Sequence, residues 1–137
     1  MTNPTEDVVR RYYAVVGDLG ATEADLTALL HPDVEIVEHP NRLVPTGASR
    51  DLAGTVQGFQ AGRALLSRQS FEVLQVLTAG DEAAVRALWS GEIGREAGPF
   101  RPGQVLTAQV AAFLTVEDGR IRRHETFDCY QPFPLDR

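Results

Sequence analysis

The stretch GRIRRHETFDCY, Gly119 to Tyr130, places His124 and Asp128 four residues apart. In a strand, with its period of two, both fall on one face. An imidazole and a carboxyl there can move protons near neutral pH, or can form a satisfied buried ion pair. His39 closes DVEIVEH just before Pro40, where it can cap a strand end. Tyr12 and Tyr13 add two adjacent phenols, and a tyrosine on a helix face most often serves as core. His31, His39 and His124 lack ligand spacing, so no metal is expected. Cys129 is the only cysteine, which excludes an internal disulfide, and it reads as a small core residue.

The elements that must position these groups follow from periodicity and punctuation. Thr5 as N-cap, with Glu6 and Asp7 behind it, opens a helix whose Val8, Tyr12, Val15 and Val16 share a face. Gly17 and Gly20 end it. Thr22 and Asp25 form a capping box for a short second helix with Leu26, Leu29 and Leu30, which Pro32 stops. Asp33–His39 alternates as a strand, and NRLVPTGASR reads as a loop. Residues 51–67 read as a helix with Phe59 on its apolar side. Gly54, Gly58 and Gly62 recur every four residues on it, which suggests close backbone packing on one face, or else a loosened helix over a cavity. Strands are expected at 70–78, 83–93, 104–116 and 120–131, joined by the turns AGDE and EDG and by the longer REAGPFRPG connection. Trp89, on one strand face with Val85 and Ile93, reads as pocket wall or core.

Helices first and an antiparallel meander after them argue for an α+β fold with helices on one face of a strongly curved sheet. The 137 residues fit one domain, 1–137. A net charge of −6 disfavours nucleic acid as a partner. The cluster Arg120, Arg122 and Arg123 reads as a solvated strand end. No apolar run approaches a membrane span, and MTNPTEDVVRR lacks a signal-peptide layout, so a cytoplasmic protein is expected.

The order of elements resembles the nuclear transport factor two-like superfamily, and within it the SnoaL-like polyketide cyclase and ketosteroid isomerase branch. The carriers are RRYYAVVGDLGATEADLTALLHPDVEIVEHP, SGEIGREAGPF and VEDGRIRRHETFD. The resemblance implies a cone-shaped curved mixed sheet with three helices over one face, a cystatin-like α+β barrel, and a homodimer formed through the outer sheet face. It also implies a cofactor-free pocket for a small apolar ligand bearing a carbonyl. Matched to the isomerase motif VEDP, VEHP puts His39 at the general-base position, and Tyr12 (or its neighbour Tyr13) at the oxyanion donor. The isomerases' second donor aligns near Ala111, which cannot donate. The cyclases' late-strand acid matches Asp128 in TFD, whereas the related epoxide hydrolases' Arg and Asp have no counterpart in QVLTAQVAAFLTV.

The expected function is therefore acid–base isomerisation, cyclisation or dehydration in a small-molecule pocket. Asp128 and His39 would be the acid–base pair, His124 the orienter and Tyr12 the donor, with Trp89, Phe59 and Tyr13 lining the pocket. The alternative is a non-catalytic ligand- or protein-binding module of the same fold. In the final strand, His124 and Asp128 would face the cavity, and Ile121 and Phe127 the outer side.

Overall fold

The computed structural model describes residues 3–134. The first helix, α1 (Pro4–Val16), is capped by Asn3 rather than Thr5, because the Asn3 side chain accepts from the Glu6 amide at 2.7 Å and Pro4 supplies a preset first turn. Thr5 lies inside the helix, where its hydroxyl donates to the Gly80 carbonyl at 2.7 Å. Val8, Val9, Tyr12 and Tyr13 form the buried stripe. The short α2 (Glu23–Thr27) has the expected reciprocal capping box of Thr22 and Asp25. It ends before Pro32, which lies instead in the first strand, β1 (Leu30–Glu38). That strand is longer than its alternating pattern because Leu30 and the Leu29 carbonyl already pair with Ile121.

Part of the expected loop is a three-residue strand, β2 (Ala48–Arg50), antiparallel to β1. Helix α3 (Leu52–Leu65) starts at the Asp51 cap and stops two residues earlier than expected. Leu66 takes extended backbone and opens β3 (Leu66–Ala79), which pairs with β4 (Glu82–Ile93) from its first residue. The strands β5 (Val105–Glu117) and β6 (Arg120–Tyr130) complete the meander. Asp118 and Gly119 both have positive φ, 53° and 75°, as a two-residue hairpin turn requires.

The sheet order is β2-β1-β6-β5-β4-β3, with β1 and β6 parallel and every other pair antiparallel. This mixed six-stranded sheet curls around α1, α2 and α3 and stays open rather than closing into a full barrel. Its main core lies between α1, α2 and the concave face, where Val9 and Ile121 are 0% exposed. A smaller cluster of Ile93, Leu106 and Phe133 fills the opposite end.

One irregularity decides which residues of β6 point inward. Thr115 pairs with Arg123 and Val116 with Ile121, so Arg122 is an extra residue, a β-bulge. Ile121 therefore points inward, contrary to the strict alternation read from sequence, while His124, Thr126, Asp128 and Tyr130 follow on the same concave face. Arg123, Glu125, Phe127 and Cys129 take the convex face. Cys129 is thus exposed and not a core residue. Arg122 and Arg123 are half-buried and paired with Glu117 and Glu35.

Candidate functional site

A cavity of about 350 Å³ opens between α3 and the concave face. Its closed end is made by α1 and β6. Tyr12 and Tyr13 are adjacent on the buried stripe of α1, and both reach His124 on β6. The Tyr12 hydroxyl lies 2.9 Å from His124 Nδ1, and the Tyr13 hydroxyl 3.5 Å from Nε2. Burial pulls the His124 pKa down to about 4, so the ring is neutral at pH 7. A neutral imidazole has one N–H and one lone-pair nitrogen. The hydrogen bonding must then run in one direction: one tyrosine donates into the ring, and the ring donates to the other. Burial also raises the pKa of both phenols, that of Tyr13 further through Tyr12 and Asp128, so both keep their protons.

Asp128 lies two positions along the same strand face. The His124–Asp128 ion pair that the spacing allowed as an alternative does not form, because both nitrogens of His124 are directed at α1. Asp128 accepts instead from the Thr126 hydroxyl at 2.7 Å. Burial raises its pKa, opposed by that hydrogen bond and reinforced by the charge of Glu38. Tyr130, next on this face, is raised by burial, then by Asp128 and Glu38.

His39 does not enter the cavity. In β1, Val34, Ile36 and Glu38 alternate inward, which turns His39 outward. Its ring stacks on Phe127 of the convex face, centroids 4.2 Å apart at 11°. Its Nε2 stands 3.1 Å from Glu125 Oε2, an interaction that holds the Glu125 carboxyl below its usual range. Glu38, its neighbour, takes the inward position. There it accepts from Arg50 at 3.0 Å and from Asn41 at 2.8 Å. The inward alternation of Val34 and Ile36 was the available signal for Glu38, and the spacing of His124 and Asp128 was the signal for Thr126 and Tyr130.

The remaining walls are apolar. The inward residues of β5, among them Ala108 and Val110, offer no hydrogen-bonding side chain, and Ala111 points outward. Trp89, Phe59 and Tyr13 line the cavity, together with Phe71. The indole of Trp89 donates to Gln69 at 2.9 Å, and Gln69 in turn donates to the Val16 carbonyl. Gly91 makes room for this indole, since a Cβ there would stand 2.6 Å from its ring. Gly58 and Gly62 line the mouth. Close packing does not explain Gly62, because a Cβ on it would meet nothing within 4 Å.

The described residues hold no cluster of three or more His, Cys, Asp or Glu suited to a metal ion, and no helix long and apolar enough to cross a membrane. The arrangement amounts to an apolar cavity with a neutral imidazole between two phenols and a carboxyl whose affinity for protons is raised. That set can polarise a carbonyl and move a proton next to it.

Comparisons with known proteins fit this geometry. The SnoaL-like domain profile matches residues 9–124. Among solved structures, the chain is similar to IdmH from Streptomyces antibioticus, described as a candidate polyketide cyclase. Identity is 25%, coverage 92% of each chain and TM-score 0.74. A candidate polyketide cyclase from Acidithiobacillus ferrooxidans shares 16% identity over 93% of this chain and 89% of its own, with TM-score 0.74. A Catenulispora acidiphila protein of ketosteroid isomerase-like fold, solved with trimethylamine, shares 17% over 88% and 84%, with TM-score 0.69. The last two likenesses concern the fold alone. No curated protein sequence gives a significant match.

Proposed function

The chain belongs to the SnoaL-like domain family, and from that premise we propose that it binds a flat, apolar carbonyl compound and performs cofactor-free acid–base chemistry on it, isomerisation or cyclisation. The observation that carries this reading is the convergence of Tyr13, His124 and Asp128 in a cavity whose other walls are largely apolar.

Tyr12 donates its O–H to Nδ1 of His124, the shorter of the two contacts, and the Nε2–H is directed at the Tyr13 oxygen. The opposite direction would assign the Tyr13 O–H to the longer contact and leave the Tyr12 proton without an acceptor among the described residues. In the favoured direction the free O–H belongs to Tyr13, the phenol that feels the charge of Asp128. His124 is therefore an orienter of Tyr13, and Tyr13 donates to the ligand's carbonyl oxygen.

Ionised Asp128 removes a proton from the carbon next to the carbonyl. The electron pair moves to the oxygen, where the Tyr13 O–H stabilises the enolate. The proton then returns from Asp128 to a different carbon, or the enolate carbon attacks a second carbonyl and closes a ring. Because burial raises the proton affinity of Asp128, its carboxylate is a stronger base than an exposed one.

Hydrogen–deuterium exchange at the activated carbon of 2-tetralone in D₂O, followed by NMR, tests this directly. The wild type is expected to accelerate exchange. Asp128→Asn should reduce the acceleration by about 100-fold or more, and Tyr13→Phe by about 100-fold. Exchange unchanged in Asp128→Asn would remove its role. Binding of 2-tetralone without any acceleration would leave the cavity a non-catalytic binding site.

A homodimer through the convex face is part of the same reading. Leu77 and Phe113 are 59% and 53% exposed there, and Phe113 meets the partly exposed Phe127 edge-on at 6.2 Å, an apolar surface that water disfavours. Sedimentation at micromolar concentration should give a dimer, and Phe113→Glu a monomer. A wild-type monomer under those conditions would refute it.

A further inference from the structure

The mouth of the cavity carries a charge that the acid–base chemistry does not use. Helix α3 turns Thr55, Gly58, Phe59, Gly62 and Arg63 towards it, and β2 contributes Arg50. The glycines keep space open between the helix and Arg50. A Cβ on Gly58 would find Arg50 Nε no nearer than 3.9 Å, and one on Gly62 would meet nothing within 4 Å. Arg63 follows Gly62 directly, at the edge of this gap.

The two guanidinium groups differ in their partners. Arg50 is neutralised by Glu38 at 3.0 Å. Arg63 makes no ion pair among the described residues, and its guanidinium lies over the Phe59 ring, 5.4 Å from the centroid. A cation over an aromatic face is attracted to it without using its N–H donors, which stay available to a ligand. The acids lining the cavity are engaged elsewhere: Glu38 is paired with Arg50, and Asp128 accepts from the Thr126 hydroxyl and forms no ion pair with Arg63. The rim of the cavity thus has an uncompensated cation in a chain whose net charge is −6.

From this juxtaposition we infer that the ligand is an aromatic acid, its rings in the apolar cavity and its carboxylate at the mouth on the Arg63 guanidinium, beside Arg50. The inference rests on the reading of this cavity as a small-molecule site, and it adds the charge of the substrate class. A guanidinium fork matches a carboxylate with two parallel hydrogen bonds. The gap at Gly58 and Gly62 is where that carboxylate would pass.

The 137-residue chain contains one tryptophan, Trp89, in the cavity wall, so its indole N–H resonance reports occupancy at a known place. We would titrate it at low ionic strength with two probes of equal size, 2-naphthoate and the neutral ketone 2-acetylnaphthalene. Naphthoate should bind about tenfold more tightly than the ketone. Arg63→Gln should bring naphthoate down to the ketone's affinity, Arg63→Lys should keep part of the preference, and added salt should shrink it in the wild type. Ketone binding with no preference for naphthoate, or a preference that survives Arg63→Gln, overturns the inference and leaves the cavity reading intact. If neither probe moves the indole resonance, both are overturned.

Discussion

Helices α1 and α3 are nearly equal in length, 13 and 14 residues, and both face the concave side of the same sheet. Helix α1 buries five residues and forms the closed end of the cavity, whereas α3 buries none and borders its mouth. The difference lies in composition. Helix α1 presents Val8, Val9, Tyr12 and Tyr13 as a continuous stripe, while α3 has glycines at 54, 58 and 62 where a stripe would need side chains. Stability is therefore concentrated on the α1 side, and access on the α3 side. The two phenols that hold His124 belong to the stable helix, which suits groups that must keep their geometry.

The largest effect expected from this contrast is the acid response of the α1 side. His124 is 9% exposed with a pKa near 4, against about 6.5 when unfolded. Between those values the unfolded chain binds a proton that the folded one does not, so stability falls as pH drops through that window and is complete above it. The loss is about 3 kcal/mol between pH 7 and pH 4. Asp128, raised by burial, works in the opposite sense, so the comparison must be with a variant. Urea titrations of wild type and His124→Gln should show the acid loss smaller by about that amount in the variant. Equal slopes would mean that His124 is not buried in its neutral form.

The next effect is on packing. Val9→Ala, at a 0% exposed site of α1, should cost about 2 kcal/mol by urea titration, whereas Phe59→Ala in α3 should cost less than about 1 kcal/mol. Similar costs would show that α3, whose Phe59 packs only in part on the core, anchors the fold as firmly as α1. The smallest effect has the opposite sign. Gly58→Ala and Gly62→Ala each meet no close neighbour, so each should raise stability by about 0.5–1 kcal/mol through helix propensity, read from thermal midpoints. A loss at either position would mean that the helix needs its glycines for something other than open space.

Much of this contrast could be read in the sequence, and what could not has definite causes. The amphipathic stripe of α1, the Thr22–Asp25 capping box and the Asp118–Gly119 turn are local signals, and each corresponds to a hydrogen bond, a buried face or a backbone conformation in the structure. The strand β2 is three residues long, too short to show a period. The inward turn of Glu38 instead of His39 was implied by Val34 and Ile36, but the match to VEDP drew attention to the residue before the proline. The roles of Gly62 and Arg63 depend on what lies opposite α3, which no periodicity within the helix can reveal. The partner of His124 was missed for the same reason: both of its nitrogens contact a helix more than a hundred residues away in sequence.

The bulge at Arg122 has a consequence for changes in chain length. Because the extra residue is confined between Ile121 and Arg123, the two halves of β6 keep their phase independently. The first half is fixed by Val116 and Leu29, the second by its pairing with β5 as far as Tyr130. Deleting Arg122 would bring Ile121 and His124 two positions apart, the spacing of a regular strand, and both would still face inward. Deleting any single residue from Glu125 to Cys129 would instead exchange the faces of everything beyond it, sending Tyr130 to the convex side. One position in this strand can thus absorb a length change, while those around the carboxyl cannot.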